Sequence, residues 1–273
     1  MGKQGASLSQ LDDFKTLSPE NIIEFREKGH TLVKEVLTPA QIDIYRPIIV
    51  NAAERYNTEK RELNDRDTYG KAFLQIMNLW QNDADAKRFV FAKRMARIAA
   101  DLMGVENVRL YHDQALFKEP GGGPTPWHQD QYYWPIDTNN TITMWMPLVD
   151  IDVNMGMLTF ASGSYTNGAV FDFEISDESE SAFDEYVKEH NFPISRAKTM
   201  KAGDATWHRG FTMHHANGNN SNKMREVMTI IYLADGARIT PHKNNWQKND
   251  HEKWLMGKPI GEVIDSELNP RLL

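Results

Sequence analysis

The 273-residue sequence contains no cysteine. That absence excludes disulfides, thiolate zinc sites, iron–sulfur clusters and a cysteine nucleophile. No apolar run approaches the roughly 18 residues that a membrane-spanning helix needs. Positive charge is in deficit, with 31 Lys and Arg against 38 Asp and Glu for a net charge of -7. An acidic chain without a basic stripe lacks the electrostatic footprint of a nucleic-acid binder, and it has no polybasic segment for an anionic membrane. The opening residues MGKQGAS hold no apolar core of a secretory signal. Ala6 stands where a myristoylation pattern needs Ser or Thr. Internal repeats, low-complexity tracts and a clear linker are also missing. The expectation is a soluble, cytoplasmic protein of one domain, with a small molecule as its partner rather than nucleic acid or a membrane.

What is present divides the chain in two. Before Gly104 the pattern is mostly helical. Ser18-Pro19-Glu20 and Thr38-Pro39 read as N-caps followed by first-turn prolines. Ile22, Ile23 and Phe25 supply an apolar face that Gly29 ends, and residues 31–36 suggest a short strand. Ile42, Tyr45 and Ile49 recur at helical spacing, with Pro47 placed to kink that helix or mark its start. Residues 87–103 read as one further helix, basic outside and apolar inside, closed by Gly104. Beyond it come short β-like runs at 108–117, 141–149, 157–161, 204–208 and 227–233, parted by Gly, Pro, Asn and Asp. That is the pattern of a barrel or jelly roll. An acidic helix over 177–190 interrupts them and reads as a solvated face or as part of a lid. The expected organisation is a helical N-terminal layer over about 1–104, a β-barrel core over about 105–235 and a C-terminal extension over 236–273.

The chemistry concentrates in three stretches. In YHDQALFKEPGGGP, strand alternation gives His112, Gln114, Leu116 and Lys118 a common face. A lysine on an inward face needs an anionic partner. In WHQDQYYW, His128 and Asp130 stand two residues apart, a spacing that directs an imidazole and a carboxylate to one side of an extended chain. A third ligand is offered far downstream by GDATWHRGFTMHHANGNNSNKMR, which carries His208, His214 and His215. Two histidines and one carboxylate with open positions make the facial triad of non-haem iron(II) oxygenases. Arg225 follows His214 by eleven residues, at the start of an apolar strand. A guanidinium there needs an anion to clamp, and a dicarboxylate cosubstrate would supply one.

FKEPGGGPTPWHQD, WMPLVDIDVNMGMLTFASGSY and the 203–225 stretch resemble the phytanoyl-CoA dioxygenase family of iron(II)/2-oxoglutarate oxygenases. The likeness runs from about Glu24 to the C-terminal NPRLL. Its sharpest part is the ordered set of HxD, then His, then Arg eleven residues on. The resemblance implies a mainly β protein with flanking helices, built on a double-stranded β-helix. It implies His128, Asp130 and His214 as iron ligands and Arg225 on the distal carboxylate of 2-oxoglutarate, with molecular oxygen as the oxidant. It matches Lys118, Gln114 and Trp145 to cosubstrate-facing positions, and Trp134, with Tyr132 and Gln129, to the substrate side. His215 stands where the family often has a small residue, so His214 and His215 compete for the distal position. Ala216 replaces a serine that often helps hold the cosubstrate, and Thr143 is the candidate substitute. Related halogenases have a small residue in place of the aspartate; Asp130 favours an oxidation instead, with hydroxylation expected. Two other readings use the same residues: a zinc hydrolase, which has no need of Arg225, and a barrel that binds metal or 2-oxoglutarate without turnover.

Overall fold

The structure, a computed structural model, describes residues 11–171 and 174–273. The segment read for targeting signals lies outside them. Twelve strands build the barrel. They are β1 (His30–Val33), β2 (Leu74–Met77), β3 (Val108–Phe117), β4 (Thr125–His128), β5 (Thr141–Pro147) and β6 (Ile151–Asp152), followed by β7 (Leu158–Ala161), β8 (Ile194–Arg196), β9 (Thr199–Met200), β10 (Ala205–Arg209), β11 (His214–Ala216) and β12 (Val227–Ala234). They form an antiparallel six-stranded sheet in the order β1-β10-β5-β12-β3-β2, a four-stranded sheet β4-β11-β7-β8 and the small pair β6-β9. The fold is a double-stranded β-helix, and its cavity opens between the two larger sheets.

Strand alternation sorts the side chains. On β5, Ile142, Met144 and Met146 face outward into the main core, while Thr143 and Trp145 face the cavity. The outward face of the six-stranded sheet is covered by a helical layer of α1 (Pro19–Lys28), α2 (Pro39–Tyr56), α4 (Leu79–Asn82), α5 (Ala84–Val90) and α6 (Lys93–Met103), while the short α3 (Thr68–Ala72) stands at the cavity. Ser18 and Thr38 cap α1 and α2 as their sequences require, and Thr38 forms a full capping box with Gln41. Two later helices, α7 (Asp177–Glu189) and α8 (Asn245–Trp254), stand at the cavity mouth. None of the described helices is long and apolar enough to cross a membrane.

The structure corrects the reading of the helical layer in three places. The single helix expected over 87–103 is two, because Ala92 is extended and stands at the N-cap of α6 while Phe91 packs at a tilt against Trp80. Arg94 is not on a basic outer face. It is buried and donates to the Val36 carbonyl at 2.9 Å and to Gln41 Oε1 at 2.8 Å, and it pairs with Asp13. Ile23, expected on the apolar face of α1, is exposed.

One irregularity shapes the cavity. The pairing of β12 with β3 shifts register between Ile231, opposite His112, and Tyr232, opposite Leu110. Tyr111 is the extra residue of this bulge, and bulges re-aim side chains. Leu110 keeps its place in the outer core, whereas Tyr111 turns inward with Trp134, Ile231 and Leu233.

Candidate metal centre

β4 and β11 lie side by side with His128 directly opposite His214. Adjacent strands therefore present two imidazoles to one point, their ring centroids 4.1 Å apart. Asp130 begins the short 3-10 turn after β4 rather than lying on the strand. Gln129 between them keeps extended dihedrals, so the carboxylate still returns to the histidine side. Asp130 Oδ1 is 3.6 Å from His128 Nε2 and 3.6 Å from His214 Nε2. The three potential ligand atoms all fall within 4.8 Å of one another.

The surroundings fix the donor atoms. His128 Nδ1 lies 2.8 Å from the Pro126 carbonyl and His214 Nδ1 lies 2.9 Å from that of Thr212. A carbonyl only accepts, so each Nδ1 carries the proton and each Nε2 lone pair is left for the centre. Asp130 Oδ2 accepts from the Thr143 hydroxyl at 2.8 Å and from His208 Nε2 at 3.1 Å, which leaves Oδ1 to face the two histidines. Burial alone would raise the Asp130 carboxyl; the adjacent His214, His128 and His208 outweigh it and hold the group well below the usual carboxylate range. Burial, then the neighbouring His128 and His208, holds His214 in its neutral form. Two imidazoles turned with Nε2 to the centre and an ionised carboxylate are what a divalent cation with borderline-soft preferences requires. The donor set fits iron(II).

Alternation along β11 separates the two candidate distal histidines. His214 turns into the cluster, while His215 turns away and stacks on Trp127 at 4.1 Å. His208, one of the three histidines offered downstream, joins the centre as a partner of Asp130 rather than as a member of the cluster.

Arg225 is fully buried beside the centre and lines the same cavity. Its backbone exchanges two 2.9 Å hydrogen bonds with Lys118, and its Nη1 donates to the Gly156 carbonyl at 2.6 Å. Trp145 lies under the guanidinium at 5.4 Å. Among the described residues no carboxylate pairs with it, its Nε has no acceptor, and burial pulls it down to about 9. A cation so placed is completed by an anion entering the cavity. Gly156 is obligatory for this arrangement: it has φ +75°, and a Cβ there would meet the Asn217 carbonyl at 2.5 Å.

The cavity has a volume of about 1020 Å³. Of the residues expected on its wall, Gln114, Thr143, Trp145, Tyr132 and Trp134 line it. Lys118 and Gln129 do not. Lys118 lies just past the end of β3, where alternation no longer holds; its Nζ donates to the Gly123 carbonyl at 2.5 Å and to Thr125 Oγ1 at 3.3 Å. Burial, with Arg225 adjacent, pulls it down to about 6, and among the described residues no carboxylate forms the expected ion pair with it. The Gln129 amide is consumed by backbone, donating to the carbonyls of Gly168 and Phe211 and accepting from Val170 N–H. Thr143 spends its proton on Asp130, not on a cosubstrate.

A polar chain along the wall carries no sequence signal. The Tyr69 hydroxyl donates to Gln75 at 2.9 Å, Gln75 donates to Gln114 at 3.0 Å, and Gln114 Nε2 lies 3.4 Å from His112 Nδ1. Gln75 reaches Gln114 because β2 pairs with β3, a partnership that no local pattern announces.

Comparison with known proteins agrees with this geometry. The family model of Phytanoyl-CoA dioxygenase (PhyH) matches residues 25–227. The probable alpha-ketoglutarate-dependent hypophosphite dioxygenase of Stutzerimonas stutzeri is 24% identical over 230 residues, 78% of each chain. The phytanoyl-CoA dioxygenase of Arabidopsis thaliana is 27% identical over 162 residues, 59% of this chain and 56% of that protein. Among solved structures, the non-heme alpha ketoglutarate dependent carbocyclase SnoK superposes with a TM-score of 0.78 at 22% identity, covering 98% of this chain and 100% of its own. The epimerase SnoN, in complex with Fe3+, alpha ketoglutarate and nogalamycin RO, gives 0.76 at 21% identity, covering 93% and 98%.

Proposed function

The chain belongs to the phytanoyl-CoA dioxygenase family and is an iron(II)- and 2-oxoglutarate-dependent oxygenase; on that premise we propose that it hydroxylates a C–H bond of a small organic molecule held in the cavity above His128, Asp130 and His214. In this reading those three residues hold the iron through His128 Nε2, His214 Nε2 and Asp130 Oδ1. Iron with bound 2-oxoglutarate supplies the oxygen activation and the C–H oxidation, with succinate and carbon dioxide released.

The protein's own contribution is placement and exclusion. Arg225, propped by Gly156 and placed over Trp145, would take the far carboxylate of 2-oxoglutarate and so set the orientation of the cosubstrate. Thr143 and His208 keep the Asp130 carboxylate turned, and the carbonyls of Pro126 and Thr212 keep both imidazoles in one tautomer. Trp134 and Tyr132 give the substrate side an apolar wall that keeps water from the reacting carbon. The reading takes the chain as one oxygenase domain, because the helical layer and the six-stranded sheet share one core.

The observation that carries the reading is Arg225, buried without a carboxylate partner beside a histidine–aspartate–histidine cluster. A zinc hydrolase has no use for such a cation. The test is oxygen-dependent succinate formation from 2-oxoglutarate with iron(II). We expect it in the native enzyme and expect at least a hundredfold loss in Asp130→Ala. An Asp130→Ala enzyme that turns over at the native rate would overturn the assignment. With a substrate in hand, one atom of labelled oxygen should appear in the product; a product without it would replace hydroxylation by another oxidation.

A further inference from the structure

The end of the cavity formed by α8 is not used by the iron or the cosubstrate. Asp250 lines it, one helical turn before Trp254. Asp250 Oδ2 accepts a 2.8 Å hydrogen bond from the Tyr111 hydroxyl, the residue that the β3 bulge turns inward. Among the described residues Oδ1 has no hydrogen-bond partner. The exposed Lys253 lines the same cavity and acts on Asp250 through space, without an ion pair. Asp130 and Tyr69 line the same cavity.

The surroundings are aromatic and acidic. Trp134 packs edge-on against Tyr111 at 5.5 Å, and Tyr133 packs edge-on against Trp246 at 5.8 Å. Asp67, Glu174, Asp177 and Glu178 add carboxylates to the lining. Among the described residues the lysine and arginine lining the cavity are Lys253 and Arg225, the second of which the cosubstrate would take. Negative charge around aromatic faces selects for a cation, through charge-assisted hydrogen bonds and the ring quadrupoles.

We propose that Asp250 is the substrate-recognition residue of this oxygenase, and that it binds the basic nitrogen of an amine whose apolar body lies between Trp134 and Trp254, directed toward the iron centre. The proposal rests on the oxygenase reading and adds the substrate class. The Tyr111 hydroxyl orients the carboxylate and leaves Oδ1 for the ammonium. Burial pushes Asp250 up to about 7 even with Lys253 acting on it through space, so the site gains from a cation in direct contact. An anionic substrate would meet four further carboxylates on its way in.

The test is binding, read apart from turnover. The enzyme loaded with iron(II) and 2-oxoglutarate, under argon, is titrated with three probes of one skeleton: phenethylamine, 2-phenylethanol and phenylacetate. Quenching of tryptophan fluorescence reports occupancy. The amine should bind at least tenfold more tightly than the alcohol and the acid. Asp250→Asn should bring the amine to the level of the alcohol, leave the alcohol unchanged and leave the visible band of the iron–cosubstrate complex intact. An alcohol or acid that binds as tightly as the amine, failure of all three to bind, or an amine preference that survives Asp250→Asn would overturn the proposal. Absence of the visible band in the native enzyme would instead overturn the oxygenase site, and the same titration would still read the amine preference.

Discussion

At the scale of single residues, the centre is a set of acceptors and donors with one free atom each. Asp130 shows this best. One carboxylate oxygen is committed to Thr143 and His208, and the other faces the histidines. Partners of ligand carboxylates typically matter by about 10–100-fold in metal affinity. Thr143→Ala should therefore weaken iron(II) binding within that range while leaving the fold intact. Competition with a coloured chelator measures the first, and the melting temperature the second. Unchanged affinity would mean that His208 alone orients the carboxylate. The histidine–aspartate–histidine cluster could be read from the chain because spacing along it encodes it: HxD on an extended segment, and a histidine eleven residues before an arginine. Lys118 and Gln129 could not be assigned that way. Strand alternation stops at Phe117, one residue before Lys118, and the Gln129 amide is claimed by backbone more than 35 residues away. Asp250 and Tyr69 carried no signal, since only tertiary contacts bring them to the cavity.

At the scale of elements, caps and strand pairings position these residues. Asp113 on β3 accepts from the backbone N–H of Leu79 at 3.0 Å, which ties the first turn of α4 to the sheet. Burial pushes this carboxyl from 3.8 up to about 7, against the hydrogen bonds from Leu79 and Trp80. The folded state thus holds the proton more tightly than the unfolded chain. The stability it contributes is present at acid pH and lost as pH rises from about 4 to about 7. Asp113→Asn removes that dependence, so the variant should gain on the native protein between pH 5 and pH 8, as read by urea midpoints. A difference that stays constant with pH would contradict the assignment. Strong local signals placed the long strands well: 108–117 is β3 as expected, and the caps of α1 and α2 stand where Ser18-Pro19 and Thr38-Pro39 put them. The break between α5 and α6 has neither proline nor glycine to mark it. It comes from packing, with Val90 and Ala92 both buried on either side of Phe91.

At the scale of the molecule, function depends on how three distant parts of the chain close one cavity. Two sheets supply its walls, and the mouth is formed by α3, the start of α7 and α8. Those elements are tied across it: Ile175 N–H donates to the Tyr133 hydroxyl at 2.9 Å, Thr68 to Asp177 at 3.4 Å, and Trp246 to Glu174. The acidic stretch that starts α7, which sequence left between a solvated face and a lid, contributes Asp177 and Glu178 to the lining. A barrel or jelly roll was legible from the rhythm of short strands, and the double-stranded β-helix from the family resemblance. The mouth was not, because the sequence of α8 names no partner.

The most direct test of the central claim is anaerobic. Iron(II) and then 2-oxoglutarate are added to the metal-free protein, and the visible difference spectrum is recorded. The account predicts a charge-transfer band that is absent in His128→Ala. In Arg225→Gln the band should form only at higher 2-oxoglutarate, since truncating one partner of a buried charge pair costs about 2–5 kcal/mol, at least a tenfold loss of affinity. A band that forms at the same 2-oxoglutarate concentration in Arg225→Gln, or no band in the native protein, would contradict it.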